Sequence, residues 1–253
     1  MAISLTRPEL AGTFGAVTAT HWLASVSGFG MLERGGNAFD AAVATGLTLT
    51  VVEPHLNGPG GECPVILYHA KTKRTVVVNG QGVAPKAATI AKFREMNLDL
   101  VPGTGFLSAC VPSTFDTWMH VLQNYGTLSL ADVLAPAIHY AENGFPLLPA
   151  MVRTLGTVKT LFNTEWKTSA EQWLPGGELP KPNAFHKNPR LAATFKRLVK
   201  ESESAKGSRE KKIEAARAAW SDGFVAEAID KFVKTPMMDT SGKRHAGLIN
   251  GGD

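Results

Sequence analysis

The chain has 253 residues, 44% hydrophobic and 19% charged, which is an ordinary globular composition and enough for one large domain or two small ones. Its net charge is +4 and its isoelectric point about 9.1. Much of the excess lies between Lys181 and Lys212, but Glu201, Glu203, Glu210 and Glu214 are mixed in, so a solvated helix is the better reading and a nucleic-acid footprint is set aside.

The opening, MAISLTRPELAG, lacks the apolar core of a secretory signal. A cytoplasmic location is expected on that ground, or a periplasmic or secreted one if a leader is missing. Gly15 to Thr20 reads as a short β-type run. His21 to Arg34 reads as a helix ended by Gly35 and Gly36. Asn37 can cap the next helix, and Asp40 sits in its first turn, where a carboxylate suits the positive helix end. From Ala38 to Val52 the chain is almost free of charge, and a helix apolar all round is a buried one. No segment reaches the roughly 18 apolar residues of a membrane span. After Glu53-Pro54-His55 and a glycine-rich turn, Val65 to Tyr68 and Arg74 to Asn79 read as two strands joined by a short connection.

Lys86 to Glu95 is expected to be a helix, and Leu98 to Gly105 a loop. Ser113 is a candidate N-cap for a helix whose Phe115, Trp118, Met119 and Leu122 recur at core-facing spacing. Ser129 to Asn143 follows, with Ser129 and Asp132 spaced as in a capping box and Gly144 as a stop. Pro136 within it suggests a kink. Met151 to Phe162 is a further helix. Trp173 to Pro189, rich in proline, reads as an irregular excursion. Arg190 to Ala219 is helical and broken near Gly207-Ser208, and Gly223 to Val233 is a last short helix. Thr235 to Asp253 has no evident closing element. No linker interrupts the chain, so residues 1–253 read as one domain.

Chemistry is sparse. There is no GxSxG, HExxH, phosphate-loop or CxxC pattern. The glycine-rich run Gly58-Pro59-Gly60-Gly61 precedes a strand rather than opens a helix, which disfavours phosphate binding. Cys63 and Cys110 have no metal-ligand spacing; two buried thiols are the simpler reading and one disulfide the alternative. His21 and His55 could serve as bases beside a nucleophile, but hydrogen-bonded structural rings explain them as well. Glu53 and Asp40 are expected to be semi-buried, and paired or bonded to backbone N–H groups.

Thr18-Ala19-Thr20-His21-Trp22-Leu23-Ala24-Ser25, then GGNAFDAAVA, then VVEPHLNGPGG, resembles the opening of the gamma-glutamyltransferase family of N-terminal nucleophile (Ntn) hydrolases. Ala84-Pro85-Lys86-Ala87-Ala88-Thr89 and the stretch from Tyr125-Gly126 through Pro136-Ala137-Ile138 to Gly144-Phe145 keep the family's order. The resemblance covers about 12 to 250 and implies an α+β fold, the αββα sandwich, of which this chain supplies an incomplete, helix-rich part. It implies a self-cleaving precursor of glutathione metabolism or related amide chemistry. The small-subunit chain it releases begins with a threonine nucleophile, whose own α-amino group serves as base. A small-molecule amide would be the substrate, with no metal or organic cofactor, no nucleic acid and no membrane. Nothing in this sequence matches the nucleophile motif, and the context of Thr240 does not resemble the cut site.

Counting back from Ala84-Pro85, the family's arginine for the γ-glutamyl α-carboxylate falls on Gln81. Arginine offers a charged fork and glutamine a neutral amide, so an acyl group other than γ-glutamyl fits better. A plain turn residue between Gly80 and Gly82 is the alternative. The activity implied is that of a gamma-glutamyltransferase-like amidohydrolase or acyltransferase through an acyl-threonine. The reading set against it is an inactive truncated remnant or binding subunit.

Overall fold

A computed structural model describes residues 11–253, so most of the opening segment read for a leader lies outside the described residues. Helix α1 (Trp22–Glu33) and helix α2 (Ala38–Val52) form an antiparallel pair. His21 starts α1 by accepting the amide of Leu23 at Nδ1, 3.1 Å away. Asn37 starts α2 through a reciprocal cap. Its Oδ1 accepts from the amides of Phe39 (2.8 Å) and Asp40 (3.1 Å), and Asp40 Oδ2 accepts from the amide of Asn37 at 2.8 Å. Eleven of the fifteen residues of α2 are buried.

Strands β1 (Val65–His69) and β2 (Arg74–Val78) form an antiparallel hairpin in the register Val65↔Val78 and Leu67↔Val76. Helix α3 (Ile90–Glu95) is shorter than expected, because Thr89 caps it by accepting the amide of Lys92 and a turn from Pro85 to Ala88 precedes it. Helix α4 (Thr114–Tyr125) and helix α5 (Leu130–Asn143) follow, α5 with the expected Ser129–Asp132 capping box and with Pro136 inside it. Helix α2 packs on α1, α4 and α5. Helices α8 (Pro189–Ser204) and α9 (Arg209–Ser221) close the far side, on α5 and α4 respectively. The core joins Val43, Leu47 and Val51 to Phe115, Met119 and Leu122, then Leu134, Phe195, Leu198 and Trp220. Phe115 and Trp220 stack at 4.7 Å between ring centres. The fold is helix-rich α+β with few strands.

Asp40 is fully buried, not semi-buried, and does more than cap. Its Oδ1 accepts from the amides of Thr127 (2.8 Å) and Leu128 (3.0 Å), and its Oδ2 from the Thr127 hydroxyl (2.7 Å). Arg209 binds the same corner from the other side. Its guanidinium donates to the carbonyls of Leu122, Gln123, Gly126 and Leu128 at 2.7–3.3 Å. The basic stretch is therefore partly turned inward, and Lys196 pairs with Glu142 across helices at 2.5 Å.

Three expectations are corrected. Gly15 to Thr20 forms no strand; the Thr20 hydroxyl instead donates to Glu53. Trp173 to Pro189 is largely irregular, as read, but carries a short strand that ties it down. After helices α6 (Pro149–Thr164) and α7 (Lys167–Trp173), strand β4 (Phe185–His186) pairs with β3 (Phe145–Pro146), and Leu147 exchanges backbone bonds with Asn183 and Ala184. The last segment, beyond helix α10 (Phe224–Val233), closes with strands β5 (Met237–Met238) and β6 (Arg244–His245), held by Asp239 against His245 Nδ1 at 2.7 Å. The first two corrections come from contacts between distant residues that no local pattern encodes, and the third is a hairpin of two-residue strands too short to show a period. Both cysteines are free and half-buried.

Asp40→Asn places an amide N–H against buried backbone donors and is expected to cost about 3 kcal/mol. At about 2–4 °C per kcal/mol for a chain of this size, a thermal melt should show a fall of roughly 6–12 °C. Thr127→Ala removes one of the four bonds and should cost about 1 kcal/mol.

Candidate functional site

Beyond β2 the chain runs through Asn79-Gly80-Gln81-Gly82 between two other segments. The Gly80 carbonyl accepts from the Cys63 amide at 2.8 Å and the Ser113 hydroxyl at 2.6 Å; the Val83 carbonyl accepts from the Val111 amide at 2.9 Å. A Cβ on Gly80 would lie 2.1 Å from the Cys63 carbonyl oxygen, and one on Gly82 would lie 2.1 Å from that of Val111. Neither neighbour can carry a side chain without moving backbone. Gln81 is thus the one residue of the triplet with a side chain to present.

That side chain lines a cleft of about 400 Å³ together with Ser113, Asp116, Trp220, Asp222 and Asn250. The backbone amide of Gln81 makes a long bond to Asn79 Oδ1 at 3.4 Å, while its side-chain amide has no hydrogen-bond partner among the described residues. It is exposed and available to a ligand. Asp116 is engaged by a two-pronged contact with Arg217, Nε to Oδ1 at 2.7 Å and Nη2 to Oδ2 at 3.2 Å. The Arg217 pKa is pushed up by that bond. Ser113 was legible only as a cap; in the structure its hydroxyl makes no cap bond and goes to Gly80.

The other singled-out residues gather elsewhere, at the end of α2. Glu53 is buried and accepts from Thr20. His21 and His55 both feel its charge, yet burial outweighs that attraction and lowers both imidazole pKa values. His21 Nδ1 is occupied by the Leu23 amide, which puts the proton of the neutral ring on Nε2. His21 Nε2 and His55 Nδ1 are buried without a partner among the described residues. Neither histidine lines the Gln81 cleft, so the structure separates them from the substrate candidate. Burial raises the Cys63 thiol to about 11, which keeps it protonated and a poor nucleophile. Thr240 is spent structurally, its hydroxyl accepting from the Gly103 amide at 2.8 Å. Among the described residues no three histidine, cysteine or carboxylate side chains converge as a metal site, and no helix is long and apolar enough to cross a membrane.

A family model described as Gamma-glutamyltranspeptidase matches residues 24–244. The chain belongs to the gamma-glutamyltranspeptidase family. The glutathione hydrolase-like YwrD proenzyme of Bacillus subtilis is 38% identical over 196 residues, 77% of this chain and 37% of its own length. The oxamate amidohydrolase proenzyme of Klebsiella pneumoniae is 30% identical over 194 residues, 74% of this chain and 36% of its own. Among solved structures, LmbA2991HD is 52% identical with a TM-score of 0.93, over 98% of this chain and 42% of that one. Helicobacter pylori gamma-glutamyltranspeptidase is 27% identical with a TM-score of 0.81, over 97% of this chain and 64% of that one. The chain thus spans well under half the length of these two curated relatives.

The histidines give this gamma-glutamyltranspeptidase-family chain a signed pH response. His186 is buried, stacked on Trp173 and bonded through Nε2 to Gln172 at 2.9 Å, and burial lowers its pKa to about 4. His21 and His55 shift in the same direction. Below the unfolded value of about 6.5 the unfolded chain binds protons that the folded chain refuses. Stability present above pH 6.5 is therefore lost as pH falls toward 4. Thermal melts between pH 7 and 5 should show a falling midpoint. His21→Asn, which keeps an acceptor for the Leu23 amide but does not titrate, should flatten that slope; an unchanged slope would remove His21 from the account.

Proposed function

We propose that this chain is the N-terminal part of the large subunit of a gamma-glutamyltranspeptidase-like amidohydrolase or acyltransferase. In this reading the complete enzyme comes from one self-cleaving precursor. A small subunit supplies an N-terminal threonine whose hydroxyl attacks the amide carbonyl, with the α-amino group taking the proton. The amine leaves, and the acyl-threonine passes its acyl group to water or to a second amine. Family membership supports this, as does the naming of both curated relatives as proenzymes.

The remaining fold would be the αββα sandwich. The outer face of the β1–β2 hairpin supports that extension, because Ile66, Tyr68 and Val77 stand 76%, 59% and 67% exposed on one side of it. A two-stranded sheet needs further strands or a packed face for stability. The remaining strands of the sandwich would supply both.

The observation that carries the substrate reading is Gln81, an amide held in the cleft wall where the family resemblance places an arginine. Its donor and acceptor suit an uncharged or differently placed polar group on the acyl moiety. The relative named as an oxamate amidohydrolase is a family member whose named substrate is not a γ-glutamyl compound. The preferred substrates of this enzyme are thus amides whose acyl group lacks an α-carboxylate at this position.

Gln81→Arg in the two-subunit enzyme tests this. Restoring the fork should favour γ-glutamyl donors over neutral acyl amides by about 2 kcal/mol, roughly 30-fold in relative kcat/KM. A Gln81 enzyme already selective for γ-glutamyl donors, and indifferent to the arginine, would contradict it.

A further inference from the structure

We propose that Ser113 is a positioning residue for Gln81, setting the direction in which the glutamine amide meets the acyl group; this rests on the reading of Gln81 as an acyl-group contact. The sequence around it, Val111-Pro112-Ser113, looks like a helix start, and a serine there ordinarily gives its oxygen to the amides of the first turn. The structure uses it otherwise. The amides of Ser113 itself and of Thr114 both donate to the Gly61 carbonyl, at 3.1 and 3.0 Å. The hydroxyl makes no cap bond; it donates to the Gly80 carbonyl at 2.6 Å, with a long contact to Gly61 O at 3.4 Å.

The effect on Gln81 follows from peptide geometry. The Gly80 carbonyl and the Gln81 N–H belong to one planar unit. That carbonyl receives two donors, the Cys63 amide at 2.8 Å and Ser113 Oγ at 2.6 Å. Fixing the oxygen from two directions fixes the plane, and with it the N–Cα bond of Gln81, the axis from which its side chain departs. Little else does so: the Gln81 amide has only the 3.4 Å contact to Asn79, and the residues on either side are glycines, the least restrained in backbone. Ser113 also lines the same cleft, so the hydroxyl and the side chain it orients share one wall.

The test is a double-mutant cycle in the two-subunit enzyme, with KM and kcat read separately for the preferred acyl donor. Ser113→Ala is expected to raise KM about five- to tenfold with kcat changed less than about twofold, and Ser113→Thr, which keeps the hydroxyl, should recover most of it. In a Gln81→Ala background the same Ser113→Ala change should add nothing, because the side chain it orients is gone. Amide hydrogen exchange should quicken at Gly80 to Val83 in Ser113→Ala and stay unchanged in the helical core, which separates a local effect from misfolding. If Gln81→Ala alters no donor kinetics, the acyl-contact reading fails and this proposal with it. If Gln81→Ala matters but Ser113→Ala is silent, or the two effects multiply, only the positioning role is overturned.

Discussion

The corner between α4 and α5 is the point on which the rest of the structure depends, and one buried carboxylate holds it. Asp40 takes the amides of Thr127 and Leu128 on one side, while Arg209 donates to the carbonyls of Leu122, Gly126 and Leu128 on the other. A tight turn between two packed helices leaves backbone groups without helical partners, and each one left unpaired where burial excludes water would cost about 1–3 kcal/mol. Here a charged acceptor from α2 and a charged donor from α9 meet that need without touching each other as an ion pair. The consequence is architectural. Helix α2 is fixed to α4 and α5, helix α9 is fixed to the same corner, and the first turn of α4 is set in place to carry Ser113 and Asp116 to the cleft.

Much of this was readable because it is local. The glycine pair, Asn37 and Asp40 announce a helix start, and the charge-free run to Val52 announces burial; both hold almost to the residue. The Ser129–Asp132 box gave α5 its start in the same way, and the break read near Gly207-Ser208 falls between α8 and α9. What escaped was set by distant contacts. Nothing in Asp40's neighbourhood says that it will also receive Thr127, more than eighty residues on. The pairing of β3 with β4 joins two-residue strands too short to have a period. Ser113 carries a cap-like context, and only the approach of Gly61 and Gly80 redirects its hydroxyl.

The candidate site divides similarly. Gln81 could be singled out only by resemblance, since its flanking glycines look like any turn. The structure adds why they are glycine: two carbonyl oxygens stand where side chains would begin. His21 and His55, the more conventional chemical candidates, sit in the most recognisable motifs yet turn out to surround Glu53 at the base of α2. Their lowered basicity belongs to burial, and His21 supports the start of α1. A polar residue in a strong motif is thus a guide to fold here, and the weakly marked glutamine is the residue on which the proposed substrate reading rests.

The central claim is that this chain works as one part of a self-cleaved, threonine-dependent amidohydrolase. It is tested most directly by intact-mass and N-terminal sequence analysis of the protein purified from its source. The account predicts a second polypeptide that co-purifies with this one and begins with threonine, at a mass complementary to the precursor. A single polypeptide with no co-purifying partner would contradict it.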